Sequence, residues 1–517
     1  MMNSNHPMSI GEGNNYFEAF KRIRNGIGKY DAREIVLGCL QRLHAKEAET
    51  IQNMQRQPPW NQLLLIKWAV VYGDFTSNGK RTLTQQDLNG LLNSITNIGG
   101  SVPLPQTVNH PLVLLRAIGY QQFWHQEIRH PIALLRQGIL FGKLDRSHSF
   151  QRWFEEETSV SLDNFIDLSF MVYARFCEPD IHFIHEAFFQ PVAASFPPAC
   201  VANFLQATSR TPVQLREYLV GLETESHEPS EYYERTPLVR FPFLDLGGRY
   251  FYYSFKVLMH SLANFAYDTL RQRDPQAFME KFGRIFEDYV LLGIASTGVR
   301  FYDEEALRRF VQRDSHVVDG LVLDADVNVF VEAKGVEVGH LGMTSYRPGD
   351  VTNAVKSSVI KGISQGMDVV RVLTKLNSLP GGNLTRSRNF LLLVTYKDLF
   401  LGTGQDFYES FGGVRLESAL GCAMQDAPIP LDQIYIVSID EFDYLIACIA
   451  SGKSSFSQVF GHAYQKDSDP NTKRLNLIQH LKEMCGDVDV PQYLKAERDY
   501  RLTSISERLP EEQRTTD

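Results

Sequence analysis

The sequence predicts a mixed α and β protein whose N-terminal half is mainly helical and whose C-terminal half alternates helices with strands. In residues 16–221, apolar side chains recur every three or four positions, as at Leu63, Ile66 and Val70, and this is the spacing of one helix face. After residue 275 the pattern changes to short apolar runs separated by amphipathic segments. Such runs are typical of buried strands in an α/β arrangement.

The length of 517 residues exceeds what one hydrophobic core usually organises, so several domains are expected. The pattern divides the chain into a helical domain for binding substrate or a partner (1–221), an acidic linker (222–236), a hairpin with a connecting helix (237–274), an α/β core (275–450) and a helical extension with a polar tail (451–517). The linker is expected to be solvated because it combines several glutamates with few apolar side chains. The tail is expected to fray from Asp499 onward.

The composition indicates a globular protein without a membrane anchor. Hydrophobic residues make up 43% of the chain and charged residues 22%, and no apolar run has the length of a membrane span. Residues 1–15 lack the pattern of a signal peptide. The six cysteines include no CxxC pair, which argues against structural zinc and against a disulfide framework. We therefore expect a cytoplasmic protein.

The net charge of −9 argues against a protein that coats nucleic acid nonspecifically, because affinity for a polyanion comes largely from lysine and arginine. A nucleic-acid site would need a local basic groove. The segment 351–390 offers one, with six basic residues against one acidic residue. The candidate phosphate contacts are Lys356, Lys361, Arg371, Lys375, Arg386 and Arg388. An ordinary solvated helix face is the alternative interpretation.

The C-terminal half is expected to contain a defined series of elements. The predicted helices span 275–294 and 351–376, and the predicted strands span 299–302, 316–323, 327–334, 390–395 and 433–438. Earlier in the chain, Gly247 and Gly248 interrupt an alternating stretch and predict the tight turn of a hairpin.

The segment 319–335 carries the most informative chemistry. Because side chains alternate along a strand, Glu332 and Lys334 share one face of a strand that is otherwise apolar on both faces except at Asn328. Such a strand is normally central in a sheet, where an ionised side chain costs several kcal/mol in lost hydration. A purely structural role is therefore an expensive explanation for these two charges.

The strand register decides how Asp319 relates to this pair. A hairpin that turns on Ala325 and Asp326, or on the four residues 324–327, sets Asp319 directly opposite Glu332. Opposed side chains have Cβ atoms about 4.5 to 5.5 Å apart. A three-residue turn would shift the pairing and separate them. Two carboxylates at close range raise a pKa or recruit a cation, and oxygen ligands suit Mg²⁺ or Mn²⁺.

An aspartate, a gap of twelve residues and then Glu-x-Lys on the next strand resemble the signature of the PD-(D/E)XK, or restriction-endonuclease-like, nuclease superfamily. The resemblance implies an αβββαβ core, a divalent metal, and cleavage of DNA or less often of RNA. It makes Asp319 and Glu332 metal ligands, Lys334 the catalytic lysine, and the backbone carbonyl of Ala333 a further ligand. Val318 stands where the superfamily commonly has proline.

Two flanking helices extend the resemblance. Segment 281–290 is similar to the superfamily's first core helix, where Glu287 matches an acidic residue that helps to organise the metals, and Gly283 is expected to let this helix approach the sheet closely. On the helix after the Glu-x-Lys strand, Lys361 and Gln365 match a lysine or glutamine near the site. Each of these polar residues is also compatible with an ordinary exposed helix face.

The sequence thus predicts a Mg²⁺-dependent nuclease, with Mn²⁺ as an alternative ion, that acts on DNA, and analogy of fold suggests a role in bacterial defence. Catalytic roles are expected for Asp319, Glu332, Lys334, Glu287 and Gln365. One rival is a noncatalytic nucleic-acid-binding or scaffold protein on the same fold. Another is a nuclease that stays silent until a partner ATPase or helicase engages it, since the chain has no Walker A motif. A homo-oligomer is left open.

Overall fold

The computed structural model describes residues 10–45, 51–76, 79–102, 111–126, 131–178, 180–222, 229–311, 316–339, 342–343, 345, 347–373, 375, 378–379, 382–383, 388–421 and 423–510. The chain forms two compact units. Unit 1 comprises Met1–Gln106, Ile118–Leu270 and Arg501–Asp517, and unit 2 comprises Thr107–Ala117 and Arg271–Tyr500. The segments predicted as linker and hairpin belong, up to Leu270, to the same unit as the N-terminal helices.

Unit 1 is mainly helical, as the spacing of apolar residues predicts. Its α-helices are Ile10–Ile27, Ala32–Leu43, Ile51–Arg56, Pro59–Tyr72, Gln85–Gly99, Ile132–Gln137, Ser149–Thr158, Leu162–Cys177, Gln190–Ala193, Cys200–Thr208 and Pro212–Leu222. Helices Pro111–Gln122, Phe255–Arg273 and Gln492–Arg508 contribute residues to both units.

A small sheet completes unit 1. Its strands are β1 (Phe183–Ile184), β2 (Ser209–Arg210), β3 (Phe243–Asp245) and β4 (Tyr250–Tyr252), in the order β1-β4-β3-β2. The β3–β4 hairpin confirms the predicted turn, since Gly247 and Gly248 have φ angles of 79° and 80° that other residues rarely adopt.

The predicted solvated linker differs from the structure at Glu231. This residue lies in a 3-10 helix, Pro229–Tyr233, and is only 8% exposed. Its Oε1 accepts hydrogen bonds from Lys67 Nζ at 2.7 Å and from Trp68 Nε1 at 2.9 Å. A buried carboxylate needs such charged and polar donors, and these come from a helix more than 150 positions away that the local sequence does not reveal.

The prediction that the chain frays from Asp499 onward is wrong for the residues up to Pro510, and its last part, 511–517, lies outside the described residues. Helix Gln492–Arg508 continues for nine more residues, and its Arg501 is only 1% exposed. Within unit 1, Arg501 pairs with Asp163 at 2.7 Å and with Asp167 at 3.0 Å, and Arg508 also contacts Asp167. Two arginines that share one buried carboxylate anchor the end of this helix.

Unit 2 contains the predicted mixture of helices and strands. Its α-helices are Pro275–Ser296, Glu304–Arg308, Pro348–Ala354, Lys361–Leu373, Gly404–Phe407, Gly413–Leu420, Ile439–Ala450, Phe456–Asp467 and Leu477–Cys485, with π-helices at Lys356–Ile360 and Tyr408–Gly412. Its strands are β5 (Phe301–Asp303), β6 (Gly320–Asp324), β7 (Val327–Lys334), β8 (Ser378–Leu379), β9 (Gly382–Asn383), β10 (Arg388–Thr395) and β11 (Ile434–Ser438).

The main sheet of unit 2 has the order β11-β10-β7-β6-β5. Strands β11, β10 and β7 pair in parallel, whereas β7, β6 and β5 pair antiparallel. Strand β7 lies at the centre, as predicted, with its first six residues buried. The polar exception is Asn328, whose Nδ2 donates to Oδ1 of Asn389 on β10 at 2.8 Å. Strand 316–323 is shorter than predicted, because the regular pairing begins only at Gly320.

Helices cover both faces of this sheet. Helix Pro275–Ser296 packs on one face, where a Cβ on Gly335 would lie 2.9 Å from the ring of Phe282. Helix Lys361–Leu373 packs on the other face, because Gly362 approaches both Leu393 and the stem of Lys334. The expectation for Gly283 is wrong, since nothing lies within 4 Å of a Cβ built there. The close approach is made at the end of β7 instead.

The predicted helix over 351–376 is interrupted. Helix Pro348–Ala354 ends, a π-helix occupies Lys356–Ile360, and the regular helix resumes over Lys361–Leu373. The Ile360 amide donates to the carbonyl of Val355 at 3.2 Å, which is the five-residue step of a π-turn.

Taken together, the elements of the two units make the chain a mixed α and β protein, as predicted. No helix in the described part of the chain has the length and hydropathy of a transmembrane segment.

Candidate active site

The register of β6 and β7 is the predicted one. Gly320 pairs with Val331 and Asp324 pairs with Val327, so the turn falls on Ala325 and Asp326. Ala325 adopts a φ of 39°, which this tight turn imposes on a residue with a side chain. Continued by one position, the same register sets Asp319 opposite Glu332.

Asp319 is held at the end of β7 by the backbone. Its Oδ2 accepts a 2.6 Å hydrogen bond from the amide of Ala333, which lies between the two charged residues of the strand. Burial raises the pKa of Asp319 to about 6, although the Ala333 hydrogen bond and the charge of Lys334 both oppose the shift. The carboxylate is therefore fixed in position while its ionised form is poorly hydrated.

Glu332 is almost completely buried, with 2% of its side chain exposed. Its Oε1 is paired with Lys334 Nζ, and its Oε2 has no hydrogen-bond partner among the described residues. Burial and the nearby charge of Asp319 raise the pKa of Glu332 to about 8, against the opposing effect of Lys334. Burial outweighs the ion pair, so this carboxyl holds a proton near neutral pH in the metal-free protein.

Lys334 has two acceptors that fix its ammonium group. Besides Glu332, it donates to Oε1 of Gln365 at 3.1 Å. Gln365 lies on helix Lys361–Leu373, one turn after Lys361. The structure thus brings the predicted Gln365 to the predicted lysine, while 18% of the Lys334 side chain remains exposed to solvent.

Three carboxylates gather beside this pair. Glu287, Glu304 and Asp319 each offer an oxygen that lies within 4.8 Å of the other two. Burial, followed by the charges of Asp319 and Glu304, raises the pKa of Glu287 to about 7. Glu332 is not a member of this group, because its side chain turns toward Lys334. Its role as a metal ligand, and that of the Ala333 carbonyl, stay predictions.

The residues of this cluster fit a divalent cation. Their oxygens lie within 4.8 Å of one another, and ligands about 2.1 Å from one Mg²⁺ or Mn²⁺ are at most about 4.2 Å apart, so an ion would draw the three carboxylates slightly closer together. Burial is the largest cause of the raised pKa values at Glu287 and Asp319, and the nearby positive charges of Arg284 and Lys334 only partly offset it. An unpartnered buried oxygen on Glu332 nearby is a further donor that such an ion could satisfy.

Glu304 is the site residue that the sequence analysis missed. It begins the short helix Glu304–Arg308 directly after β5, and Asp303 caps that helix through a 2.8 Å bond to the Ala306 amide. Its Oε1 also accepts a 2.8 Å hydrogen bond from Arg308 Nε. The available signal was an acidic run at the end of the strand that precedes the motif strands. It resembles an ordinary helix start, where acidic residues are common.

The predicted basic residues separate into two groups. Gly362 packs on Leu393 and Gly366 on Leu391, so helix Lys361–Leu373 runs away from the end of the sheet that carries Lys334. Lys356 and Lys361 therefore lie near that end, whereas Arg371 lies in the last turn of the helix and Lys375 follows its end.

Arg388 is also distant from the carboxylates. It pairs in register with Val327, whereas Thr395 pairs with Lys334, so seven residues of β10 separate Arg388 from the site end. At about 3.3 Å per residue this separation is about 23 Å. The Arg388 guanidinium lies over the ring of Tyr464, at 5.1 Å from its centroid. Arg386 lies outside the described residues.

Comparisons with protein-family models, with curated proteins and with solved structures gave no match to this chain. The functional proposal therefore rests on the chemistry of the carboxylate group and of Lys334.

Proposed function

We propose that this chain is a metal-dependent nuclease that hydrolyses phosphodiester bonds, with DNA as the preferred substrate. The supporting observation is that Glu287, Glu304 and Asp319 converge at the sheet end that also carries Lys334. Acidic oxygens that bind a divalent ion, next to a fixed lysine donor, are the groups that metal-assisted hydrolysis of a phosphodiester needs.

We also propose that unit 2 is built on a restriction-endonuclease-like core. Helix Pro275–Ser296, strands β5, β6 and β7, helix Lys361–Leu373 and strand β10 follow one another in the αβββαβ order that the sequence resemblance implies. Asp319 directly precedes β6, and Glu332 and Lys334 end β7, in agreement with the motif.

The metal would be held by Glu287, Glu304 and Asp319, with Glu332 and the Ala333 carbonyl as further donors. A bound Mg²⁺ supplies Lewis acidity, which lowers the pKa of water and offsets the charge on the phosphate. The carboxylates of the chain set where that ion lies. Burial of Asp319 and Glu332 keeps competing water away from it.

Lys334 would act directly on the reacting groups. Its ammonium is oriented by Glu332 and Gln365, and its third proton is available to a phosphate oxygen or to the attacking water. A donor fixed before the substrate arrives costs no reorganisation during the reaction. Gln365 touches Lys334 and not the substrate, so we assign it a positioning role.

The preference for DNA, the link to bacterial defence and the selection of substrate or partner by the N-terminal half follow from the resemblance and stay proposals. So does activation by a partner ATPase or helicase. A noncatalytic scaffold would not need a lysine held by two acceptors beside three converging carboxylates.

The test uses the purified full chain with supercoiled plasmid, linear duplex DNA, single-stranded DNA and RNA in Mg²⁺, Mn²⁺ or EDTA. We expect cleavage of at least one DNA form that EDTA abolishes and that Lys334→Met and Asp319→Asn prevent. Glu305→Gln is the matched control, since Glu305 neighbours the cluster but is exposed and pairs only with Arg309 among the described residues. Cleavage that survives both site variants would contradict the proposal, and binding without cleavage in every metal would favour the scaffold.

A further inference from the structure

An open groove lies beside the candidate active site in unit 2. It has a volume of about 570 Å³ and is lined by Asn353, Lys356, Ser357, Ile360, Lys361, Ser364 and Ala419. One wall is the π-helix Lys356–Ile360 with the first turn of helix Lys361–Leu373, and the other is helix Gly413–Leu420. We call this feature the lysine groove.

The lining of the lysine groove is positive and carries hydrogen-bond donors. It contains two lysines, two serine hydroxyls and one amide, and no acidic side chain. Both lysines are exposed, and neither has an ion-pair partner within the described part of the chain. Unpaired lysines that face one open groove are notable in a protein with a net charge of −9. The two lysines and the three uncharged donors of the groove suit an anion, while Ile360 and Ala419 add apolar surface.

Both lysines face the groove because the lining residues of this segment follow helical spacing. Lys356, Ser357, Ile360, Lys361 and Ser364 stand at positions i, i+1, i+4, i+5 and i+8, which share one side of a helix. The π-helix Lys356–Ile360 forms the first part of this surface, and single π-turns inside helices occur frequently at functional sites.

The groove is continuous with the site through one helix. Ser364 directly precedes Gln365, which accepts the hydrogen bond from Lys334 at 3.1 Å. Lys361 is one helical turn before Gln365, a separation of about 6 Å between Cβ atoms. Gly362, beside Lys361, contacts the stem of Lys334. An anion in the groove would therefore lie about one or two phosphate spacings from the lysine.

We propose that the lysine groove binds the sugar–phosphate backbone of the nucleic-acid strand next to the cleaved bond, an inference that rests on the proposed nuclease function. Lys356 and Lys361 pair with successive phosphates, the hydroxyls of Ser357 and Ser364 donate to their oxygens, and Ile360 and Ala419 contact sugar carbons. The lining contains no aromatic side chain that could stack on a base. The groove thus holds the strand without reading its sequence.

The test measures binding separately from cleavage. The full chain carrying Asp319→Asn is titrated against a fluorescein-labelled single strand and a labelled duplex of mixed sequence, at several salt concentrations, by fluorescence anisotropy. Adding Lys356→Gln and Lys361→Gln should reduce the slope of log Kd against log salt by about two, because each lysine–phosphate contact contributes about one. Kd at low salt should rise at least about tenfold.

The control is Arg371→Gln with Lys375→Gln, which removes the same number of charges from the last turn of helix Lys361–Leu373, where Arg371 pairs with Asp368, and from the position two residues after its end. We expect its salt slope and Kd to stay within about twofold of the parent. Oligo-dA and oligo-dT should bind the parent equally. Three results would overturn the groove proposal. They are an unchanged salt slope in the Lys356/Lys361 variant, an equal loss of slope in the control, and no binding of either oligonucleotide.

The two proposals fail separately. If the Lys356/Lys361 variant loses salt dependence while the unmodified chain never cleaves, the groove stands and the nuclease proposal falls. If the unmodified chain cleaves and the slope is unchanged, the reverse holds. Free phosphate that competes at concentrations near those of the oligonucleotide would show that the groove is a site for a small anion and would also overturn the proposal.

Discussion

The carboxylate of Asp319 accepts a 2.6 Å hydrogen bond from the backbone amide of Ala333, the residue between Glu332 and Lys334. This bond links the residue before β6 to the end of β7 and sets the aspartate beside the Glu-x-Lys pair. Side-chain packing alone would leave Asp319 free to rotate toward water. The backbone donor fixes the carboxylate instead, with one of its oxygens within 4.8 Å of an oxygen of Glu287 and of Glu304.

Metal binding should release protons near neutral pH. Burial raises the pKa of Glu287 to about 7 and that of Glu332 to about 8, so both carboxyls are partly or mostly protonated at pH 7 before the ion arrives. Calorimetric titration with Mn²⁺ at pH 7, in two buffers of different ionisation enthalpy, should show release of about one proton per ion. The number should fall toward zero at pH 9. Proton release that does not depend on pH would contradict this assignment.

The metal-free protein should lose stability relative to Glu332→Gln as pH rises. The pKa of Glu332 is about 8 in the folded chain against an ordinary value of 4.5, so folding favours its protonated form. The contribution of Glu332 to the free energy of unfolding is fully present below pH 4.5 and is lost as pH rises toward 8. Chemical unfolding in EDTA at pH 5 and pH 8 measures the difference. If the free energy of unfolding of wild type instead rises relative to that of Glu332→Gln between pH 5 and pH 8, the prediction is contradicted.

Glu304→Gln should weaken Mn²⁺ binding at least about tenfold, a loss typical of damage to a metal site. Glu304 belongs to the carboxylate group, whereas Glu305 is 86% exposed at its side chain and lies outside it. Glu305→Gln should therefore bind Mn²⁺ as wild type does. Electron paramagnetic resonance of free Mn²⁺ gives both affinities without any substrate. Equal effects of the two changes would remove Glu304 from the site.

Lys334→Met should reduce cleavage by at least about a hundredfold while Mn²⁺ still binds, since one fixed donor is typically worth that much. Lys334 opposes the rise in the pKa of Glu332, so its loss should raise that pKa further. Metal affinity in the variant should then increase more steeply between pH 6 and pH 9. Cleavage at the wild-type rate would show that the lysine has no role in the reaction.

Gly335→Ala should destabilise the protein by about 1 to 3 kcal/mol, because the added methyl would lie 2.9 Å from the buried ring of Phe282. Gly283→Ala, on the same helix as Phe282, should instead increase the free energy of unfolding by about 0.5 to 1 kcal/mol. Nothing lies within 4 Å of that position, and alanine favours a helix. Urea unfolding gives the free energy of unfolding of both variants and so shows which of the two glycines is packed against a neighbour. Equal stability changes would contradict the packing described.

The central strand pair was predictable because its signals are local. The sequence left the turn between the strands open, and the observed pairing of Gly320 with Val331 selects the turn on Ala325 and Asp326 over the three-residue alternative. The helix that begins at Pro275 could also be predicted from local sequence, since Asp274 and Pro275 form a standard helix start.

The parts of the fold and of the site that were not predicted depend on contacts that the local sequence does not encode. Glu231 resembles a solvated linker residue until Lys67 and Trp68 surround it. Arg501 resembles a tail residue until Asp167 pairs with it. Glu304 joins the site only because β5 ends beside β6, and a pattern of acidic residues cannot show that proximity.

The most direct test of the central claim is the Mg²⁺-dependent cleavage rate of one labelled DNA by the full chain, compared with Asp319→Asn and Glu305→Gln under identical conditions. The account predicts cleavage by the unmodified chain and by Glu305→Gln, and none by Asp319→Asn. Equal cleavage by all three proteins would contradict it.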